Sequence, residues 1–470
     1  MIGDLKPYAD YRDSGLDWLG SIPAHWGLLR AKRLFREVDE RSKTGKEELL
    51  SVSHLTGVTP RRLKNVTMFM AESNVGHKVC RPGDLVINTL WAWMAALGVT
   101  RHTGIVSPAY GVYRPIVGCG VLPAYADYLL RTPMYAAEYQ RRSTGVNSSR
   151  LRLYPEQFLR VPVLVPSLDE QSLIVRFLNR ASVRLDRTIR AKRKVIGLLI
   201  EQQQAITHRA VTRGIDPNVT PKPSGLLSGE FVPRHWEVRR LKSLVTESVA
   251  GPYGSSLTKS MYTSSGYRVY GQQQVIPDNF AVGDYYISKK QFLEMQAYRV
   301  HAGDVLVSVM GTVGKVAVVP EGVEDGIINP RLVRYRPNFA AVRPRWLQFA
   351  MQDSYARAQL SEASKGTTMD GLNMQSLGRL QLLLPPLNEQ DEILQHVTQT
   401  RRPFTAAINR LESEIDLLRE YKTRLVDDVV TGKLDVRATA AQWGDEGGAG
   451  EELTDESDAS DVADEEATEA

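Results

Sequence analysis

The amino-acid sequence contains two copies of one pattern, separated by 210 to 220 residues. The segment SGLDWLGSIPAHWGLLRAKRL begins at Ser14, and SGLLSGEFVPRHWEVRRLKSL begins at Ser224, so the two align without a gap. The matching segments follow one another in the same order in both halves and are separated by nearly the same number of residues, which indicates an internal duplication. The chain is therefore predicted to fold as two related halves. The further pairs are RPGDLVI with HAGDVLV (81–87 and 301–307), VPSLDEQ with LPPLNEQ (165–171 and 384–390), and TRGID with TGKLD (212–216 and 431–435).

Each half is predicted to be an α+β domain joined to a long helix. Short β-branched runs such as GDLVINTL and GDVLVSVMG are bounded by Gly and Pro and indicate strands, with helical segments between them. Outside the shared segments the two halves differ, which suggests that the differing parts determine specificity. The predicted divisions are an N-terminal shared segment (1–26), a first body (27–165), a central shared region (166–236) with a helix over about 170–212, a second body (237–384), a distal shared region with a second helix (385–437) and an acidic tail (438–470).

The helix of each half has the spacing of a coiled coil. Apolar residues recur at alternating steps of four and three, the a/d pattern of helices that pack against one another. The matched register favours antiparallel packing of the two helices, and two amphipathic helices that each pack on their own body are the alternative. The two series are Leu185, Ile189, Lys192, Ile196, Leu199, Gln203, Ile206 and Ala210, and Phe404, Ile408, Leu411, Ile415, Leu418, Lys422, Leu425 and Val429.

Local chemistry predicts where these helices begin. Asp169 and Asn388 can cap their N-termini, and the acidic residues that follow complement the helix dipole. Pro403 interrupts the second pattern, so this helix is predicted to begin or kink near Arg402.

The charge of the chain is divided unevenly. The formal net charge is +5, but residues 445–469 carry twelve acidic side chains, and no Lys or Arg follows Arg437. Without this tail 59 basic and 42 acidic residues remain, a charge of about +17, which suits a polyanionic partner. The tail is rich in Gly, Ala, Asp, Glu and Ser and is predicted to be disordered.

Several classes of protein are disfavoured by the sequence. No window approaches 18 uninterrupted apolar residues and the N-terminus has no apolar signal-peptide core, so a cytoplasmic protein without a membrane segment is expected. Cys80 and Cys119, the only cysteines, suggest neither a disulfide framework nor a zinc site. The eight histidines lack ligand spacing, and Asn-Pro-Pro-Tyr, P-loop and GxSxG sequences are absent, so no catalytic or metal-binding residue is predicted.

The ordered, duplicated motifs resemble the specificity subunit of type I restriction–modification systems. The resemblance covers residues from about 8 to 437 and rests on YRDSGLDWLGSIPAHW, FVPRHWEVRRLKSLV, the PSLDEQ and PPLNEQ strings before the helices, and TRGID and TGKLD after them. GPYGSSLTKSMYTSSGYRVYGQQQVI (251–276) and GDVLVSVMGTVGKVAVV (303–319) also look like a target-recognition domain of that family.

The resemblance implies both the architecture and the role of the chain. Two α+β target-recognition domains, in a pseudo-twofold repeat, would each read half of a split, asymmetric duplex DNA sequence, separated by two long antiparallel coiled-coil helices. A helix of about 43 residues would be roughly 65 Å long, nearly two turns of duplex DNA. The chain would be non-catalytic and hold no cofactor. Two methyltransferase subunits would bind S-adenosylmethionine and methylate adenine, and two restriction subunits would use ATP, with Mg on the partners.

Candidate contact residues follow from position and chemistry. Glutamine can bond adenine bidentately, and the turn GTVGK can offer backbone N–H groups and a lysine to a phosphate. The alternative for each is a polar turn or strand face in water. The candidates for DNA binding are Ser53, His54, Thr56, Arg101, Tyr110, Asn147 and Arg150 in the first body, and Lys259, Tyr262, Gln272, Gln273, Gln274, Thr312, Lys315, Asn329 and Arg331 in the second. Candidates for subunit docking or the spacer helices are Glu170, Gln171, Leu185, Ile189, Ile196, Leu199, Glu389, Gln390, Ile408, Leu411, Ile415 and Leu418.

Two other classes of function remain open at this stage. One is a self-sufficient DNA-modifying enzyme, a fused methyltransferase or nuclease, which would transfer methyl groups or cut DNA without partner chains. The other is a coiled-coil scaffold with RNA-binding lobes, which would show no preference for duplex DNA over RNA.

Overall fold

A computed structural model describes residues 5–63, 73–145, 151–226, 229, 231–253, 256–310, 312, 314–364 and 374–442. The chain divides into two compact units, one formed by Met1–Lys192 with Ser413–Ala470 and the other by Arg193–Glu412. Among the described residues, no helix is long and apolar enough to cross a membrane.

The first half of the chain contains short strands followed by helices. Its strands are β1 (Tyr11–Asp13), β2 (Ser21–Pro23), β3 (Gly27–Arg30), β4 (Phe35–Glu37), β5 (Leu50–Ser53), β6 (Gly57–Pro60), β7 (Lys78–Cys80), β8 (Leu85–Ile87), β9 (Leu97–Val99), β10 (Gly104–Val106), β11 (Gly111–Pro115) and β12 (Pro162–Val165). Its helices are α1 (Pro123–Leu130), α2 (Pro133–Arg142), α3 (Pro155–Phe158) and the long α4 (Leu168–Arg213).

The second half repeats this order with additions. Its strands are β13 (Pro221–Pro223), β14 (Phe231–Pro233), β15 (Glu237–Arg240), β16 (Val245–Ala250), β17 (Tyr267–Tyr270), β18 (Tyr286–Ile287), β19 (Val305–Ser308), β20 (Val316–Val318), β21 (Gly326–Ile328), β22 (Leu332–Pro337) and β23 (Gln381–Leu384). Its helices are α5 (Gln272–Val275), α6 (Lys289–Glu294), α7 (Pro344–Gln352), α8 (Ser354–Ser364), α9 (Met374–Arg379), the long α10 (Leu387–Val430) and α11 (Arg437–Gln442).

Both bodies contain the same antiparallel sheet. Its strand order is β4-β11-β8-β9 in the first body and β16-β22-β19-β20 in the second. The strands after the repeated Gly-Asp turn, β8 and β19, are wholly buried, as their β-branched sequences predicted. Tyr113 pairs with Leu85 and Tyr335 with Val305, so the two sheets share their register as well as their order.

The bodies differ in the strands that flank this shared sheet. The first has a hairpin of β5 and β6 and a second antiparallel pair, β7 with β10. The second has a three-stranded sheet in which β17 lies between β18 and β21 and pairs in parallel with β21. The structure therefore divides each body into a duplicated frame and a part of its own.

The long helices confirm the predicted a/d pattern. None of the sixteen a/d residues is exposed, and Leu185, Ile189, Ile415 and Leu425 are buried. In the first unit Lys192 Nζ lies 2.5 Å from Glu414 Oε2, and Lys422 donates to Asp186 at 2.7 and 2.8 Å. In the second unit the Gln203 amide donates to Thr405 Oγ1 at 2.9 Å. The pairings make the helices antiparallel within each unit, with polar a/d residues held by partners on the opposite helix.

The N-cap predicted at Asp169 was wrong, and so was a start of the second helix near Arg402. The helices begin at Leu168 and Leu387, and it is Ser167, not Asp169, whose hydroxyl accepts the backbone N–H of Glu170 at 3.2 Å. Pro403 neither begins nor ends α10, which runs through it from Leu387 to Val430. A proline within a helix removes one backbone hydrogen bond, and the packing of the a/d face around this exposed position outweighs that loss.

The repeated glycines after the helices close each unit. Gly432 follows α10 with φ +80° and lies so close to Pro23 and Trp26 that a Cβ would meet the proline ring at 2.5 Å. Gly214 follows α4 with φ +70° and lies against Trp236. Both positions favour glycine because they have a left-handed backbone beside an aromatic ring. Each entry segment thus packs against the end of the helix from the other half, which accounts for the repeat of TRGID and TGKLD.

The start of the predicted tail is folded. Residues 437–442 form α11, in which Ala440 is buried, so the prediction of disorder from residue 438 was wrong for 438–442. Residues 443–470 lie outside the described part of the chain.

Candidate nucleic-acid interface

The repeated Glu-Gln pair forms a clasp at the base of each body. In the first clasp, Trp26 Nε1 donates to Glu170 Oε1 at 3.1 Å, and His25 Nε2 lies 3.0 Å from the other carboxylate oxygen. In the second clasp, Trp236 Nε1 donates to Glu389 Oε1 at 2.9 Å, and His235 Nε2 lies 2.7 Å from Oε2. The His-Trp pair of each entry segment is therefore the partner of the glutamate at the start of each helix.

The glutamines complete the two clasps by binding backbone groups. Gln171 accepts the N–H of Leu122 at 2.7 Å and donates to the carbonyls of Gly120 and Pro166, both at 2.8 Å. Gln390 accepts the N–H of Arg343 at 2.8 Å and donates to the carbonyls of Pro385 and Ala341. Each glutamine thus ties the start of the long helix to a loop of its body, the loop before α1 in the first body and the loop before α7 in the second.

This burial corrects the docking role expected for the Glu-Gln pairs. Gln171 and Gln390 are fully buried and Glu170 is 4% exposed, so their side chains cannot reach another protein. Glu389 is partly accessible, but both its oxygens are engaged by the second clasp. The four residues join elements of this chain to one another. The Glu-Gln string therefore recurs because it has the same structural role in both halves.

Glu170→Ala is expected to lower the free energy of unfolding of the first unit by about 1–3 kcal/mol, because it leaves the buried Trp26 N–H without an acceptor. Urea unfolding followed by tryptophan fluorescence would measure the loss. Asp169→Ala is the matched control, since Asp169 is exposed and should change little. Glu389→Ala should cost less than Glu170→Ala, because its side chain is 18% exposed and water can partly replace it.

A second duplicated feature holds the Gly-Asp turn of each body. Arg114 donates from Nε and Nη2 to the Asp84 carboxylate, both at 2.9 Å, and from Nη1 to Glu40. Arg336 binds Asp304 in the same way and also pairs with Glu247 at 2.8 Å. The hydrogen bond from Arg114 lowers the pKa of Glu40, and the bond from Arg334 lowers that of Glu247. The guanidinium groups of these arginines are thus bound by carboxylates of the protein itself.

Above this frame, the second body has a polar rim formed by Gln272, Ser308, Met310, Asn329 and Arg331. Gln272 Nε2 donates to Ser308 Oγ at 2.7 Å and to the Met310 carbonyl at 2.5 Å, and its Oε1 accepts from Arg331 Nη1 at 3.3 Å. Asn329 Oδ1 accepts the backbone N–H of Arg331 at 2.9 Å. The structure brings together three predicted contact residues, Gln272, Asn329 and Arg331.

The three consecutive glutamines have three different environments. Gln274 is buried, accepts the N–H of Gly271 and donates to the Val282 carbonyl, so its prediction as a DNA contact was wrong. The Gln272 side chain is hydrogen-bonded to other residues of the rim. Gln273 is exposed and its amide oxygen lies beside Gly283, but its amide makes no hydrogen bond within the described residues. A three-residue run on the short helix α5 cannot point in one direction, because successive residues of a helix differ by 100°.

The other candidates of the second body lie on its surface. Lys259, Thr312 and Lys315 are exposed. Tyr262 is partly buried and stacks on Tyr285 with ring centroids 5.0 Å apart. Burial raises the pKa of Tyr262, so its hydroxyl stays protonated at neutral pH and can donate or accept.

The first body places its candidates at two locations. Ser53, His54 and Thr56 lie in or beside the turn between β5 and β6, where Ser53 is buried, its hydroxyl accepts the N–H of Leu55, and Arg131 donates to the carbonyl of His54. The hydroxyl of Thr56 is buried and has no partner among the described residues. Arg101 is exposed in the bend between β9 and β10.

Tyr110 belongs to the counterpart of the second body's rim. Its hydroxyl accepts from Asn88 Nδ2 at 3.1 Å, and burial raises its pKa. Asn88 follows β8 as Ser308 ends β19, an equivalence that the 220-residue offset contained but that the sequence reading missed. Asn147 and Arg150 lie outside the described residues.

The described residues hold no group of three or more His, Cys, Asp or Glu side chains that could bind a metal ion. The geometry offers polar and cationic side chains on a fixed frame, which suits recognition of a polyanion.

Comparison with known proteins gives one family. Residues 233–417 match the family described as the Type I restriction modification DNA specificity domain. The chain is 22% identical over 284 residues to the Type I restriction enzyme EcoBI specificity subunit of Escherichia coli, covering 57% of this chain and 56% of that subunit. It is 23% identical over 343 residues to the StySPI specificity subunit of Salmonella potsdam, covering 68% of this chain and 67% of that one.

A solved structure has the same fold. It is titled as the structural basis of complex assembly and conformational transition of the type I R-M system, and it matches with a TM-score of 0.58 at 17% identity. The match covers 88% of this chain and 99% of that chain.

Proposed function

Because this chain belongs to the family of type I restriction–modification specificity subunits, we propose that it reads a split, asymmetric DNA sequence and directs methyltransferase and restriction subunits to it, without catalysis of its own. One observation supports this most directly. The clasp and the four-stranded sheet are the same in both bodies, whereas the rim residues differ. Two bodies with one frame and different rims suit a protein that recognises two different half-sites.

Within this proposal the exposed candidates share the work of binding. Cations near a rim neutralise phosphates and set the position of the body on the duplex, and side chains on the rim read base edges. Lys259, Lys315 and Arg101 suit the first task, because each is exposed. Gln273, next to the rim residue Gln272, suits the second, because its exposed amide makes no hydrogen bond within the described residues and glutamine can pair with adenine.

The proposal assigns the remaining parts to mechanical roles. The long helices α4 and α10 act as the spacer between two bodies, which are bounded by residues 27–165 and 237–384. These bounds are supported by strand pairing, since Gly27 pairs with Val165 and Glu237 with Leu384. Two methyltransferase subunits, carrying S-adenosylmethionine, and two restriction subunits, carrying ATP and Mg, assemble on the shared regions.

The test is methyl transfer with and without the partner subunits. The purified chain is incubated with duplex DNA and labelled S-adenosylmethionine, either alone or with its methyltransferase subunits. We expect label in the DNA only when the partners are present. Transfer by the chain alone would instead support a self-sufficient modifying enzyme. Competition between duplex DNA and RNA for the chain is the second readout, and equal competition would favour the RNA-binding scaffold.

A further inference from the structure

We infer that Arg331 reads a guanine in the half-site bound by the second body, in an orientation set by Gln272 and Asn329. This inference rests on the proposed function and adds the base, the residue and the half-site. It also assigns Gln272 and Asn329 as positioning residues rather than base contacts.

Hydrogen bonds of the neighbouring Asn329 fix the backbone of Arg331. Asn329 donates its N–H to the Tyr270 carbonyl at 2.8 Å, and its side chain accepts the N–H of Arg331. Asn329 also packs against Gly271, where a Cβ would meet the amide nitrogen at 2.5 Å. The turn before β22 is therefore anchored to the end of β17, and Arg331 projects from a rigid position.

The guanidinium of Arg331 is held along one edge. Nη1 donates to Gln272 Oε1, and Gln272 is itself anchored to Ser308 and Met310 through its amide nitrogen. Within the described part of the chain, Nε and Nη2 of this exposed side chain contact no acceptor. A side chain fixed before binding loses less conformational entropy on binding, so its free edge is prepared for a planar partner.

The chemistry of that edge favours guanine. Two parallel N–H donors match O6 and N7 of guanine in the major groove, whereas adenine offers a donor beside its N7 acceptor. A phosphate contact needs no fixed plane, and Lys315 on the neighbouring loop can supply it as a flexible point charge. Because the partner of Arg331 in the protein is a neutral amide, its positive charge is not compensated there.

The same place in the first body holds no arginine. Tyr113 and Tyr335 occupy equivalent positions in the two sheets. Ala109 and Arg331 each lie four residues before these tyrosines, so they are equivalent positions too. Ser107 takes the role of Asn329 there, since its hydroxyl accepts the N–H of Ala109 at 3.3 Å. The turn is duplicated and the arginine is not, so this readout belongs to one half-site.

The experiment measures methylation by the complete complex on duplexes that carry its target, as found by methylome sequencing. Arg331→Ala should relax specificity at one guanine of one half-site and leave the other half-site unchanged, with methylation of the cognate duplex reduced about tenfold or more. Replacing that guanine with 7-deazaguanine removes N7, and should weaken the unmodified complex but not the Arg331→Ala complex. Gln272→Leu should weaken the same discrimination in part.

Arg357→Ala is the control, since this exposed arginine lies on α8, which supplies no residue of the rim. Unfolding by urea checks that each variant keeps its fold. If Arg331→Ala reduced methylation equally for substitutions at every target position, Arg331 would contact a phosphate and the inference would be overturned. The inference would also be overturned if the half-site bound by the second body contained no guanine. A continuous target for the unmodified complex would instead overturn the proposed function itself, so the two failures are distinguishable.

Discussion

Asp304→Ala is expected to lower the free energy of unfolding of the second unit by about 3–5 kcal/mol, because it removes a buried carboxylate and leaves Arg334 and Arg336 to share Glu247. Asp304 is 1% exposed and accepts from Arg336 at 2.9 Å, from Arg334 at 3.4 Å and from the backbone N–H of His301 at 2.9 Å. Arg334 is only 2% exposed, so water cannot replace the lost carboxylate. Urea unfolding and hydrogen exchange at β19 and β22 would measure the effect.

The first body supplies the matched control for this prediction. Asp84 has the same place and binds Arg114 in the same way, but Arg114 is 20% exposed and keeps Glu40, whereas Asp304→Ala leaves the buried Arg334 to share Glu247 with Arg336. Val112 stands where the second body has Arg334. Asp84→Ala should therefore cost clearly less than Asp304→Ala. Equal losses would contradict the role given to the buried arginine.

A double substitution separates the buried charge from the turn that Asp304 supports. Arg334→Val places the residue of the first body in the second, and it should recover part of the stability that Asp304→Ala removes. The reason is that Arg336 then keeps Glu247 without a second, buried arginine on the same carboxylate. A loss equal to the sum of the two single changes would show that the arginine and the aspartate act independently.

Much of the frame was predictable from the sequence, because local patterns determine it. The Gly-Asp turns precede buried β-branched runs, and β8 and β19 are strands for that reason. The a/d series predicted which residues of α4 and α10 avoid water. A helix start near Pro403 was wrong, because the stability of this helix comes from its packed face and one proline does not end it.

The roles of the repeated polar residues were not predictable in the same way. Glu170 and Gln171 gave a clear repeat, but their partners Trp26 and Leu122 lie 144 and 49 residues away in the chain. A repeat identifies a position that matters without showing whether its side chain faces water or the protein. The same limit applied to Gln272, Gln273 and Gln274, whose neighbours on β19 and in the Val282 loop come from later in the sequence.

The division between frame and rim has a consequence for how the chain can change. The clasps, the arginine–aspartate pairs and the sheets hold each body in place with residues that are largely buried. The rim residues are joined to this frame mostly through backbone groups and neutral amides, as in Gln272 and Asn329. Substitutions at exposed rim positions such as Arg331 should therefore alter recognition at a small cost in stability, whereas Ser308 is fully buried.

Exchange of a whole body is expected to change one half of the target and to leave the other half as it was. Residues 237–384 can be replaced by the corresponding body of another specificity subunit, since their ends, Glu237 and Leu384, are paired neighbours on β15 and β23. The helices and the His–Trp–Glu contacts of both clasps lie outside the exchanged residues, and Gln390 would bind the backbone of the new body. Methylome sequencing of cells that express the exchanged chain with its methyltransferase subunits would give the new target. We expect two short specified halves flanking unspecified base pairs, with only one half taken from the donor. Exchange of residues 27–165, whose ends Gly27 and Val165 also pair, should change the opposite half. If either exchange altered both halves, or if the target were continuous, the two bodies could not be independent readers.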